Sequence, residues 1–204
     1  MEQREAIFEN AEVRAVAGEN GDVTIEGYGV VFNQVSRNLG GFQEIIQREA
    51  FENVDLGDVV ATFNHNFDYV LGRTSQGTLQ LELDDHGLKY RFKDTGTSYS
   101  QDLVKNLENG NVRGSSFMFT VDYDDIDWDF ERKVPLAEIK RIDRLIELGP
   151  VTMPAYPQTD AGVAGRNMVE AMKQAKEQWE RSQKPKERVS VEDLKLRRKR
   201  KPLF

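Results

Sequence analysis

Apolar side chains occupy alternate positions from Phe117 through Phe119 and Val121 to Tyr123, a period-2 pattern that predicts a strand with one buried face. Two serines stand at its head. Ser115 is in phase with the aromatic row, while Ser116 falls on the opposite face with Met118 and Thr120. Only one of the two hydroxyls can therefore serve a site on a given side of the sheet. Upstream, residues 11–17 and 22–32 predict a hairpin through Gly18-Glu19-Asn20-Gly21. Its second strand carries Gly27 and Gly29, which bare one face and mark a bend or a close neighbour. Residues 43–51 predict a strand end running into a helical turn. Residues 58–65 predict a buried strand, with Val59, Ala61 and Phe63 in one phase and His65 closing it. Strands at 78–84 and 88–92 flank a hairpin turn at Asp84-Asp85-His86-Gly87.

The period then changes. Tyr99, Leu103, Val104 and Leu107 share a helical face over residues 95–109, with Thr97 or Ser98 as cap and Gly110 as stop. This helix delivers the chain to the serine strand. Residues 122–129 read as an exposed acidic loop that includes Trp128, and residues 133–142 and 144–153 as two more strands. Pro154 and Pro157 end the sheet-forming part. Met168, Met172, Ala175 and Trp179 form an apolar stripe on an amphipathic helix, broken by Lys184-Pro185-Lys186. About seven short strands with one or two helices predict an α+β, mainly β fold: a small, mostly antiparallel barrel with helices packed outside.

Composition narrows the setting. A chain of 204 residues, 38% of them hydrophobic, can bury a real core in one ordinary domain. It has no cysteine, which excludes disulfides, thiolate zinc sites and cysteine nucleophiles and suits a reducing cytosol. No apolar run is long enough for a membrane span, and Met1-Glu2-Gln3-Arg4-Glu5 lacks a signal peptide's apolar centre. A soluble cytosolic protein is the expectation. Residues 184–204 hold nine Lys or Arg against three acids, a net of +6, so residues 1–183 carry −13 of the total of −7. An acidic body is a poor surface for nucleic acid; the basic tail is not so limited.

Candidate chemistry is sparse. There are two histidines. His86 sits in a hairpin turn, where a solvated role is the ordinary reading. His65 closes an apolar strand phase between Asn64 and Asn66. Glu147, in Leu145-Ile146-Glu147-Leu148-Gly149-Pro150-Val151, has apolar neighbours on both sides and shares its strand phase with Leu145 and Val151. A carboxylate so placed is at least partly buried and needs a partner. Arg141 or Arg144 would be the unremarkable partner; His65 would complete a serine, histidine and carboxylate relay. Spacing alone does not choose between them. The chain has no G-x-S-x-G elbow, P-loop, dinucleotide fingerprint or H-E-x-x-H, and the acids at 122–129 lack the spacing of a calcium loop. No cofactor or metal is expected.

Several segments together resemble the prohead protease family of tailed phages, capsid maturation serine peptidases distantly similar to herpesvirus assemblin. They run in order: Gly27-Tyr28-Gly29-Val30-Val31-Phe32-Asn33; Gly40-Gly41-Phe42-Gln43-Glu44-Ile45-Ile46 with Ala50-Phe51; Phe63-Asn64-His65; Leu71-Gly72-Arg73-Thr74 with Gly77-Thr78-Leu79; Gly114-Ser115-Ser116-Phe117-Met118-Phe119; and Glu147 with Val151-Thr152-Met153-Pro154-Ala155-Tyr156-Pro157. The resemblance covers about residues 10–165. It implies Ser116 as nucleophile, His65 as base and Glu147 as third member, with His86 as the fallback for Glu147. Arg73 is a candidate for the oxyanion's neighbourhood by analogy with assemblin. Gln47-Arg48-Glu49 replaces the family's usual Pro-Gly, and Gly149-Pro150 its usual Ser-Val. The implied fold is an assemblin-like barrel at 1–165; beyond the resemblance, the residues read as an amphipathic helix at 166–183 and a basic tail at 184–204.

The implied activity is a serine endopeptidase that cleaves the scaffolding segment of the major capsid protein, and itself, inside the assembling prohead in the host cytoplasm. A homo-oligomer is compatible with this. For the C-terminal region the residues suggest that the helix stripe docks on a partner or self-associates, while the tail meets an acidic scaffold or DNA or stays solvated. The rival reading is a non-catalytic scaffold or assembly module that binds capsid protein.

Overall fold

The computed structural model describes residues 2–7, 13–18, 21–152 and 163–183. Twelve strands and two α-helices occur among them, in three sheets. The first sheet contains β1 (Glu2–Ile7), β9 (Gly114–Val121), β12 (Arg144–Val151), β5 (Val60–Phe63) and β6 (Asn66–Arg73), in that spatial order. The second is β2 (Val13–Ala17), β3 (Val23–Val31), β8 (Gly87–Lys93) and β7 (Leu79–Leu83), antiparallel throughout. The third is β10 (Ile126–Asp129), β11 (Leu136–Ile139) and β4 (Gln43–Ile46). Helix α1 (Ser98–Glu108) precedes β9, and α2 (Val163–Gln183) follows β12. The mainly β, α+β expectation holds, but the described strands form three sheets with no closed barrel among them. Two pairs, β12 with β5 and β11 with β4, are parallel.

The first two sheets face each other across an aromatic core. Phe117 and Phe119 of β9 stack at 5.3 Å, Tyr90 and Phe92 of β8 at 6.0 Å, and all four are buried. Burying each such ring contributes about 2 kcal/mol or more. Gly29 explains its bare face here: a Cβ on it would lie 3.3 Å from the Leu148 side chain of β12. The glycine therefore lets β3 approach the first sheet, and a register shift between Tyr28 and Val30 bends the strand at the same point.

Most predicted elements appear close to their expected places. The 43–51 segment is β4 followed by a 3-10 turn, Arg48–Phe51. Helix α1 is capped by Thr97, whose side chain accepts from the Ser100 N–H, and stops before Gly110 at φ +69°. The expected acidic loop at 122–129 is corrected: a 3-10 turn, Tyr123–Asp125, leads into β10, where Ile126 is buried. Strands β1 and β6 were not predicted. The apolar stripe of α2 faces this chain's own body: Met168 joins the core and Trp179 lies 5.9 Å from the Phe130 ring. The basic tail at 184–204 lies outside the described residues.

Candidate active site

The carboxylate is placed by an irregularity in β12. That strand pairs with β9 through Arg144↔Thr120 and Leu145↔Phe119, skips Ile146, and resumes at Glu147↔Met118 and Leu148↔Phe117. The bulge puts Leu145 and Leu148 together on the core side and turns Glu147 to the other. The expected phase of Leu145 with Glu147 is thereby corrected. Glu147 is fully buried. Its Oε1 accepts a 2.6 Å hydrogen bond from Thr62 Oγ1, and its Oε2 stands 2.6 Å from His65 Nδ1. The arginines go elsewhere: Arg141 pairs with Asp125 and Asp143, and Arg144 with Asp55. Of the three partners left open by the sequence, the histidine is the one in contact.

The histidine is placed by a turn. Strand β5 ends at Phe63, and Asn64-His65 forms the two-residue loop to β6, with Phe63 paired to Asn66. Both loop residues have φ of 56°, as a type I′ hairpin requires. His65 is therefore not the end of the strand phase that contains Ala61 and Phe63. The left-handed turn returns its ring to the side on which Thr62 meets Glu147. Three hydrogen bonds tie the turn to the end of β12. The Asn64 N–H donates to the Pro150 carbonyl at 3.0 Å, and Asn64 Oδ1 accepts from the Thr152 N–H and hydroxyl, each at 2.7 Å. Gly149 makes the approach of the strands possible, because a Cβ there would sit 2.0 Å from the Thr62 carbonyl oxygen.

The serines divide as their strand predicts. Ser115, on the core side, hydrogen-bonds the Tyr90 hydroxyl at 2.8 Å. Burial pushes the Tyr90 phenol well above its ordinary value, against the opposing effect of the Ser115 bond, so the phenol stays protonated there. Ser116 is directly opposite Gly149, and Gly149 lies against Thr62. Cross-strand partners share a face. Ser116, Glu147 and Thr62 thus lie on one side of three adjacent strands, with His65 held to Glu147 on that side. Ser116 is fully buried, whereas the His65 side chain keeps 17% of its exposure.

His86 is not brought to this cluster. It is exposed in the β7–β8 turn of the second sheet, edge-on to Tyr28 at 4.6 Å. Arg73 makes two 2.6 Å hydrogen bonds to Asp58, which precedes β5, whereas His65 follows it. That guanidinium, with the Ser75 hydroxyl, holds the Asp58 carboxyl well below the usual carboxylate range. No described contact directs Arg73 toward Ser116. Thr62 escaped the sequence reading as a site residue, and Asn64 stood there only as a polar neighbour of His65, whereas it ties the turn to Pro150 and Thr152. The available signals were a hydroxyl in the phase opposite Ala61 and an asparagine heading a two-residue turn. Among the described residues no group of three or more His, Cys, Asp or Glu side chains is arranged to hold a metal ion, and no helix is long and apolar enough to cross a membrane.

A serine and a buried carboxylate on adjoining strands, with a histidine on the turn beside them, are the side-chain types of a serine hydrolase. The family model described as the caudovirus prohead serine protease matches residues 9–176. The chain belongs to that family, and the match extends past residue 165 into α2. Among solved structures, the bacteriophage T4 capsid assembly protease gp21 is similar with a TM-score of 0.44 and 11% identity, over 74% of this chain and 97% of that one. No curated protein matched the chain. The resemblance to herpesvirus assemblin is not shown by these matches.

Proposed function

We propose that this chain is a serine endopeptidase in which Ser116 attacks the peptide carbonyl, His65 carries the proton and Glu147 orients and charge-balances the imidazole. The observation that carries the reading is the 2.6 Å contact between Glu147 Oε2 and His65 Nδ1, made on the same sheet face as Ser116. A carboxylate accepts and does not donate, so it assigns the neutral ring's proton to Nδ1 and makes Nε2 the basic nitrogen. Nε2 takes the Ser116 hydroxyl proton as Oγ bonds to the carbonyl carbon, then delivers it to the leaving amine. Water repeats the sequence to release the acyl group. Burial strengthens the Glu147 charge's hold on the imidazolium formed in between. Thr62 fixes the carboxylate's second oxygen and with it the plane in which His65 is held.

The substrate follows from the family rather than from the geometry: the scaffolding part of the capsid protein, with self-cleavage, in the assembling prohead. Labelling by a serine-directed phosphonate and cleavage of co-expressed capsid protein test the assignment together. Ser116→Ala is expected to remove both while leaving the unfolding free energy unchanged within about 1 kcal/mol. Ser115→Ala is expected to keep labelling and cleavage but to lose about 1 kcal/mol of stability, because Tyr90 loses its buried hydrogen-bond partner. Cleavage by the Ser116 variant, or its loss in the Ser115 variant alone, overturns the assignment.

A further inference from the structure

Seven large hydrophobic residues are exposed among those described, and three of them, Phe67, Tyr69 and Val70, follow His65 on β6 at 50, 41 and 39% exposure. Their clustering has a structural cause. Strand β6 pairs with β5 at Asn66↔Phe63 and again at Val70↔Thr62, leaving 67–69 as a bulge outside the ladder. The bulge is held in place: the Asp68 N–H donates to Asn66 Oδ1, Tyr69 stacks on Tyr99 at 5.2 Å, and the Tyr99 hydroxyl donates to the Val70 carbonyl. An apolar patch maintained by such contacts is not a frayed edge.

Its position relates it to the proposed reaction. The five-stranded sheet has two edges, β1 and β6, and β1 already covers β9, with Ile7 opposite Ser116. An extended peptide therefore cannot add to β9 beside the serine on that side. Ser116 is buried while His65 is partly exposed, so the approach runs past the His65 hairpin, which is continuous with the patch. Val70 pairs with Thr62, so it lies on the face of Glu147 and Ser116, in a row that runs Ser116, Gly149, Thr62, Val70. Three strand spacings separate the ends of that row, roughly 14 Å, which an extended peptide covers in about four residues.

Resting on the endopeptidase reading above, we propose that Phe67 and Val70, with the Tyr69–Tyr99 stack behind them, form a specificity subsite for a large apolar side chain of the substrate, about four residues from the scissile bond. Its occupant is the extended chain being cleaved. An acidic or short side chain at that position gains nothing from the patch.

Two peptide series test this, one carrying leucine and one carrying serine at each position two to six residues from the cleaved bond. The wild-type chain is expected to prefer leucine at one of these positions by roughly tenfold in kcat/KM, expressed in KM. Phe67→Ser and Val70→Ser, both at exposed positions, are expected to reduce that preference to about twofold, with kcat unchanged and hydrolysis of the serine peptide unaffected. An unchanged leucine preference in both variants overturns the subsite. So does a wild-type enzyme without such a preference, or a fall in kcat alone. The Ser116→Ala variant separates the two proposals: if it still hydrolyses the peptides, the endopeptidase reading fails, whereas unaltered preference together with a dead Ser116 variant removes only the subsite.

Discussion

Glu147 meets two donors, one on each carboxylate oxygen, and is shielded from water, so a change at any of the three groups reaches the others. Glu147→Gln presents an amide NH2 either to the Thr62 hydroxyl or to the His65 Nδ1–H. The second arrangement sets two donors against each other and selects the imidazole tautomer that cannot accept the serine proton. Peptide hydrolysis is expected to fall by about 10⁴ in kcat, with phosphonate labelling falling in parallel. Thr62→Val nearly keeps the shape but removes one donor from a buried charge. It is expected to cost about 1–3 kcal/mol in urea unfolding and to lower kcat about tenfold, KM being little changed. The three residues also differ in legibility. Glu147 was conspicuous as a charge among apolar neighbours, and His65 as one of two histidines. Thr62 was not, because threonine is an ordinary strand former and nothing in sequence separates a packed hydroxyl from one bonded to a distant acid.

The site depends as much on how closely three strands approach as on the residues they present. At Gly149 a methyl group would stand 2.0 Å from the Thr62 carbonyl oxygen and 3.1 Å from that residue's backbone C and N, so it would meet main chain that has no rotamer to change. Gly149→Ala must push β5 from β12, carrying Thr62 and the His65 turn away from Glu147. A loss of about 3 kcal/mol is expected, and activity should fall even where the variant is folded. Gly57→Ala is the control: its new methyl would meet only the Asp55 carboxylate tip, at 3.2 Å, which can move, and a change within about 1 kcal/mol is expected in the same urea titration. Strand β9 was legible because its alternation is unbroken. Strand β6 was missed because its 67–69 bulge interrupts the pairing, and β12 was mis-phased because skipping Ile146 shifts every later side chain to the other face. A type I′ turn likewise moved His65 out of the phase that simple alternation gives it.

At the scale of the molecule, the parallel pairing of β12 with β5 joins residues more than eighty positions apart, which no local period can announce. The C-terminal helix presents the same difficulty in another form: the stripe from Met168 to Trp179 is plain in the sequence, but what it covers is not. Here it covers its own chain. Helix α2 packs on β1, Met168 is 1% exposed, and Trp179 extends an aromatic series in which Phe42, Trp128 and Phe130 follow at 5.6 Å steps. Since β1 is the strand laid beside Ser116, this helix supports the outer edge of the candidate site as well as the core. Met168→Ala is accordingly expected to lose about 2–5 kcal/mol through the cavity it leaves. A double-mutant cycle on Phe130→Ala and Trp179→Ala should return a coupling of about 1 kcal/mol, the worth of one aromatic contact. If the stripe served a second molecule instead, the unfolding midpoint would rise with protein concentration and the cycle would give no coupling in the isolated chain. Intramolecular docking requires the opposite on both counts: a midpoint independent of concentration, and a coupling that persists in a chain ending at residue 183, because both rings of the pair lie within it.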